Sequence, residues 1–93
     1  MERDLIEKVR DALLEACKPD AAPDIRLTVE PDGRITGFAL SSIFGDMRYS
    51  DRQDLLWKHL DAKLTLEERD RVVFIAADTT EEYDAIQEDR LVG

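Results

Sequence analysis

The sequence predicts an α+β domain of order α-β-β-α-(short α)-β-α, a three-stranded mixed sheet with helices packed on one face. Three observations point there. Leu5, Ile6, Val9, Ala12, Leu13 and Ala16 recur at helical spacing, as do Leu56, Leu60 and Leu64 farther along. Two apolar segments flank the turn signal Pro31-Asp32-Gly33, and a continuous apolar run, Val72 to Ala77, stands between charged residues. The chain has 93 residues, the size of a single domain over 1–93, and a chain of that length buries about 65% of its unfolded surface. With 43% hydrophobic residues it has enough apolar surface to form a core.

In chain order, the first helix carries Glu2 and Asp4 near the positive end of its dipole. It closes at Lys18-Pro19, because a residue before proline is pushed out of the α region. Ile25, Leu27 and Val29 alternate with Arg26, Thr28 and Glu30, the period of a half-buried strand. The strand after the turn, Arg34 to Ser41, is apolar on both faces near Phe38, Ala39 and Leu40 and is the more buried of the pair. Ser42 to Tyr49 shows no period and reads as a loop. Ser50 and Gln53 form an S-x-x-Q capping box opening the second helix, with Trp57 beside its leucine stripe. Thr65 with Glu68 and Thr79 with Glu82 supply two more such boxes, the first opening a short helical turn and the second a final polar helix toward Arg90. Val72 to Ala77 is expected to be a strand buried on both faces. A helical crossover between the second and third strands makes them parallel.

Composition narrows the function classes. The formal net charge is −9, from 22 acidic and 13 basic residues, which disfavours phosphate backbones and anionic membranes. Cys17 is the only cysteine, so no internal disulfide forms and four-ligand zinc patterns are absent. No apolar run approaches the roughly 20 residues of a membrane span, and the charged start Met1-Glu2-Arg3-Asp4 is unlike a signal peptide, so a cytoplasmic setting is expected.

No catalytic constellation is evident, and an enzyme is not expected. His59, the only histidine, falls at the margin of the leucine stripe as a solvated helix-edge residue. Cys17 reads as a small buried hydrophobe. The pairs Glu67-Glu68 and Glu81-Glu82 sit in first turns of helices, where carboxylates favour the dipole. No calcium-loop spacing is present, and neither a metal nor a cofactor is expected. Arg52, His59 and Lys63 share one helix edge that reaches a few phosphates at most. Phe44 and Met47 stand in a polar segment, either tucked under the helix or exposed as anchors for a partner.

The stretch Ser41-Ser42-Ile43-Phe44-Gly45-Asp46-Met47-Arg48-Tyr49-Ser50-Asp51-Arg52-Gln53-Asp54-Leu55-Leu56-Trp57 resembles the BolA-like motif. That motif has a strand-ending serine, a loop phenylalanine, then Arg-His opening a helix, with an aromatic four residues after the histidine. Thr79-Thr80-Glu81-Glu82-Tyr83 resembles the family's Thr-Pro-Glu-Glu-Trp after the last strand. The resemblance spans nearly the whole chain. It implies a KH-like α+β fold, partnership with monothiol glutaredoxins in iron–sulfur trafficking, and roles in transcriptional regulation.

The departures are specific. The family histidine of Arg-His is Gln53 here, and the histidine beginning the last strand corresponds to Arg71, whose guanidinium cannot be deprotonated to ligate. The loop between the first strands, Glu30 to Arg34, holds neither cysteine nor histidine. The expectation is therefore a non-enzymatic BolA-like adaptor that docks a protein through Phe44, Met47, Arg48, Arg52 and Arg71, with Gln53, Trp57, Thr79 and Tyr83 as structural motif residues. The alternative is a KH-like nucleic-acid-binding regulator, although no G-x-x-G loop is present. A cluster carrier using Cys17 as an improvised ligand ranks third.

Overall fold

A computed structural model of the chain describes the backbone of residues 2–92 and side chains from Asp4 to Glu88, which leaves the Glu2 carboxylate outside the described residues. The elements run α1 (Glu2–Ala16), β1 (Asp24–Val29), β2 (Ile35–Leu40), a 3-10 turn (Ser42–Asp46), α2 (Tyr49–Lys63), α3 (Leu66–Asp70), β3 (Val72–Asp78) and α4 (Thr80–Val92). The fold is α+β, with helices packed on a three-stranded mixed sheet.

The hairpin follows from its turn. Glu30 donates its N–H to Arg34 O at 2.8 Å, and Asp32 Oδ1 accepts the Arg34 N–H at 3.1 Å. Gly33 adopts φ 87°, a left-handed conformation that a side chain would strain. β2 lies between β1, antiparallel to it, and β3, parallel to it. The α2–α3 crossover supplies the length a parallel connection needs.

Register sorts the side chains onto two faces. Ile25 opposes Ala39, which opposes Ala77, and Leu27 opposes Gly37, which opposes Ile75. On that face Ile25, Ile35, Ala39, Ile75 and Ala77 join Leu5, Val9, Leu13, Phe44, Leu56 and Leu60 in one buried cluster. Each fully buried Leu, Ile or Phe contributes roughly 1.5–3 kcal/mol, so the helical stripes of α1 and α2 carry much of the stability. Leu64 is buried, as its spacing predicts, and Trp57 packs half-buried at the margin under the Arg69 guanidinium. The other face presents Arg26, Thr28, Thr36, Phe38, Phe74 and Ala76. There Tyr83 of α4 meets Phe38 edge-on, ring centroids 4.9 Å apart.

Three sequence expectations are corrected. The segment Ser42–Tyr49 is not an open loop; Ser42–Asp46 winds into a 3-10 turn capped by Ser41, whose hydroxyl accepts the Ile43 N–H at 3.3 Å. A turn that short shows no apolar period. The Ser50/Gln53 capping box does not form, because the N-cap lies two residues earlier, at Arg48, which makes no side-chain cap bond. The other two boxes form, with reciprocal bonds between Thr65 and Glu68 and between Thr79 and Glu82. Finally, β3 is buried on both faces only in its second half, at Ile75, Ala76 and Ala77. Val73 and Phe74 are 50% and 49% exposed: Val73 is the unpaired residue of a bulge opposite Ile35 and Thr36, and Phe74 lies on the face away from the core.

Candidate functional site

Arg52 is the most connected side chain of the sequence motif. It enters from the first turns of α2 and is only 6% exposed. Its Nε donates to Met47 O at 3.1 Å, and Nη1 donates to Ala77 O at 3.0 Å. Nη1 and Nη2 grip the Glu82 carboxylate at 2.8 and 3.1 Å. The guanidinium also lies 5.9 Å from the Phe44 ring and 6.0 Å from the Tyr49 ring. One planar fork therefore joins the end of the 3-10 turn, the end of β3 and the start of α4, a geometry lysine cannot reproduce.

The charges around this hub are pushed apart. Arg52 and then the Thr79 N–H hold the Glu82 carboxyl down to about 2. Asp78, whose Oδ1 lies 3.9 Å from Arg52 Nη1, is raised by burial and by the neighbouring Glu82 charge, against the opposing pull of Arg52. Of the acidic pair Glu81-Glu82, Glu82 is thus the capping and clamping residue, and both stand in the first turn of α4.

Gln53 and Arg10 extend the same logic to the sheet edges. Ser41 donates to Asp78 O, so by the parallel alternation Asp78 and Ala76 turn their polar groups toward β2 and Ile75 and Ala77 turn theirs outward. Gln53 Nε2 donates to Ile75 O at 2.9 Å, and Arg52 takes Ala77 O. At the opposite edge Arg10 Nη1 donates to Ile25 O at 3.1 Å. Side chains from the helices thus occupy carbonyls that an added strand would use. Gln53 faces inward as expected and is hydrogen-bonded, but to a strand carbonyl instead of a helix cap.

Of the five residues expected to form a docking surface, Phe44, Met47 and Arg52 meet one another, but largely inside the fold, and Arg71 lies apart from them. Phe44 is fully buried and belongs to the core, so it is no exposed anchor. Met47 is half-buried against that core. Arg52 is buried, which also removes it from the solvated helix edge assigned to it with His59 and Lys63. Arg48 is exposed and lies 3.6 Å from Asp51. Arg71, half-buried, donates from Nε and Nη2 to Gly33 O at 3.2 and 2.9 Å, tying the hairpin turn to the start of β3. Arg52 meets the opposite end of β3, so the two arginines are separated by the strand's length. The reason is geometric: a guanidinium that fills its donors with backbone carbonyls is committed to the fold.

The hydroxyl and thiol nearest this arrangement both have structural partners. The Ser41 hydroxyl donates to Asp20 Oδ2 at 2.7 Å and caps the 3-10 turn. Cys17 is buried, and burial pushes its thiol up to about 11 against the opposing hydrogen bond of Ser41. Among the described residues no three His, Cys, Asp or Glu are grouped to hold a metal ion, and no helix is long and apolar enough to cross a membrane. Most basic side chains meet acids: Lys8 with Glu68, Lys18 with Glu15, Arg26 with Asp24, Arg34 with Asp32 and Arg69 with Asp61.

Sequence reasoning missed Val73 and Phe74, the two large apolar residues exposed side by side. Their run of six apolar residues looked like an interior strand, and a bulge at Val73 together with the open outer face at Phe74 is what exposes them. It also missed Arg10 and Asp20, polar residues whose partners lie in other elements. Comparison with protein-family models, curated proteins and solved structures found no match in any of the three.

Proposed function

We propose that this chain is a non-enzymatic binding domain of the BolA-like kind, which docks a protein partner of the monothiol-glutaredoxin type in the cytoplasm. The observation that carries the reading is the pair Val73 and Phe74, half-exposed on an edge strand just after Arg71. Aromatic and arginine side chains together are favoured in the fully desolvated centres of protein interfaces. The element order and the motif residues Arg52, Trp57, Thr79 and Tyr83 support the kinship. The docking surface moves accordingly, from the Phe44–Arg52 segment to the first half of β3.

The partner would meet no imidazole or thiol on this surface, since Arg71 stands at the strand start and Cys17 lies in the core. Docking would therefore rest on apolar contact with Val73 and Phe74, beside an Arg71 that is already bonded to Gly33 O. The nucleic-acid reading draws no support from the surface, where arginines are matched with aspartates.

A binding titration with a purified monothiol glutaredoxin tests the proposal. Binding is expected for the native chain and is expected to fall at least tenfold in Phe74→Glu, whose exposed position leaves the fold intact. Absence of binding by the native protein, or equal binding by Phe74→Glu, would overturn it.

A further inference from the structure

α4 is attached to the body by its first turn. Glu82 Oε1 accepts the Thr79 N–H at 2.7 Å and the Glu82 carboxylate is held by Arg52. Tyr83 packs on Phe38 and under the Arg26 guanidinium, 5.0 Å from the ring centroid. Among the described side chains beyond that turn, Asp84, Ala85, Ile86 and Glu88 are exposed and Gln87 is half-buried. Asp84 and Glu88 are like charges four residues apart, which weakens the helix taken alone. A helix of this length is marginal in water without tertiary contacts. Its stability is therefore borrowed from the Arg52 and Tyr83 contacts.

The surface under Tyr83 continues an exposed one. Phe38 opposes Ala76, which is 7% exposed, on the face that receives Tyr83. Two residues along β3 on the same face lies Phe74, 49% exposed beside Thr36. Tyr83 marks the boundary between the covered and open parts of one apolar row.

We infer that α4 is a displaceable strap. It undocks as a unit by releasing Glu82 from Arg52 and Tyr83 from Phe38, and undocking lengthens the open apolar row from Phe74 to Ala76 and Phe38. Regions that open below the global unfolding free energy are those with few buried contacts, and residues 84–88 fit that description. The inference concerns the chain alone and stands apart from the identity of any partner.

Native-state hydrogen exchange on the full chain tests it, together with thiol labelling of Ala76→Cys. Amides of residues 84–88 should exchange at least 100-fold faster than those of Ala39 and Ala76, with a weaker dependence on denaturant. Glu82→Gln should raise the α4 rates about tenfold and leave the strand rates unchanged. The thiol introduced by Ala76→Cys should react in a separate, earlier phase than Cys17, which the core encloses, and Tyr83→Ala should quicken only that phase. One labelling phase for both thiols would overturn the inference, even with fast α4 amides, because α4 would then fray in place without uncovering the sheet. Exchange of α4 amides solely through global unfolding would overturn it as well.

Discussion

Removing the Arg52 guanidinium should cost this domain a large share of its stability. Arg52→Ala deletes four hydrogen bonds, to Met47 O, Ala77 O and both Glu82 oxygens. It also strips Asp78 of its nearest positive charge, 3.9 Å away. Breaking a buried ion pair from one side costs about 3–5 kcal/mol. The arginine side chain is 7% exposed but the Glu82 side chain 44%, so solvent reclaims part of that loss and the low end, about 3 kcal/mol, applies. A domain of this size has roughly 5–14 kcal/mol in all, and at about 4–8 °C per kcal/mol the midpoint should fall by roughly 12–24 °C. Urea unfolding followed through Trp57, the only tryptophan, measures it. In a double-mutant cycle Arg52→Ala and Glu82→Gln should couple by about 1–2 kcal/mol. Arg52→Lys should recover little, because an ammonium cannot bond two carbonyl sites and a carboxylate in one plane. A loss below about 1 kcal/mol for Arg52→Ala, or strict additivity in the cycle, would refute the hub.

Acidification should loosen the same site. The folded Glu82 carboxyl sits at about 2, below its ordinary 4.5, so its contribution is complete above about 4.5, declines as pH falls and is gone below about 2. Asp78 runs the other way: raised by burial, its charge is a penalty that protonation relieves, so it offsets part of the loss. Urea midpoints between pH 7 and 3 should fall less steeply in Glu82→Gln than in the native chain. Gly37→Ala should destabilise by about 3 kcal/mol in chemical denaturation, since a Cβ there would collide with the Arg26 carbonyl oxygen, a backbone atom of the paired strand. A loss under about 0.5 kcal/mol would show that β1 yields without strain. Gln53→Ala should cost about 1–2 kcal/mol and open the β3 edge, since Ile75 O loses its only side-chain donor among the described residues. Light scattering at rising concentration should then show more self-association than the native chain does, and equal scattering by the two would count against edge protection.

Much of the fold was legible because it is written in local periods. The stripes Leu5–Ala16 and Leu56–Leu64 bury as their spacing requires, and Pro31-Asp32-Gly33 turns the hairpin as its residue types demand. The Thr65/Glu68 and Thr79/Glu82 boxes pair residues three apart, so both partners are visible in one window. The Ser50/Gln53 box shows the limit of that signal, for Gln53 had a competing acceptor in Ile75 O, 22 residues away. The candidate site was read less well for the same reason: Arg52 was named, but its acceptors lie 25 and 30 residues on. A surface arginine and a buried hub look alike until the chain has closed around them.

The sequence alone determined the α-helices and strands, which depend on neighbours within a turn or a strand, and the parallel run of β2 and β3, which follows from the helical crossover between them. Only the tertiary structure decided that β3 is an edge, that Phe44 is enclosed while Phe74 is not, and that Arg52 and Arg71 serve opposite ends of one strand. Exposure belongs to the packed assembly of elements, and strand order and layer cover are set by contacts between residues far apart in the chain.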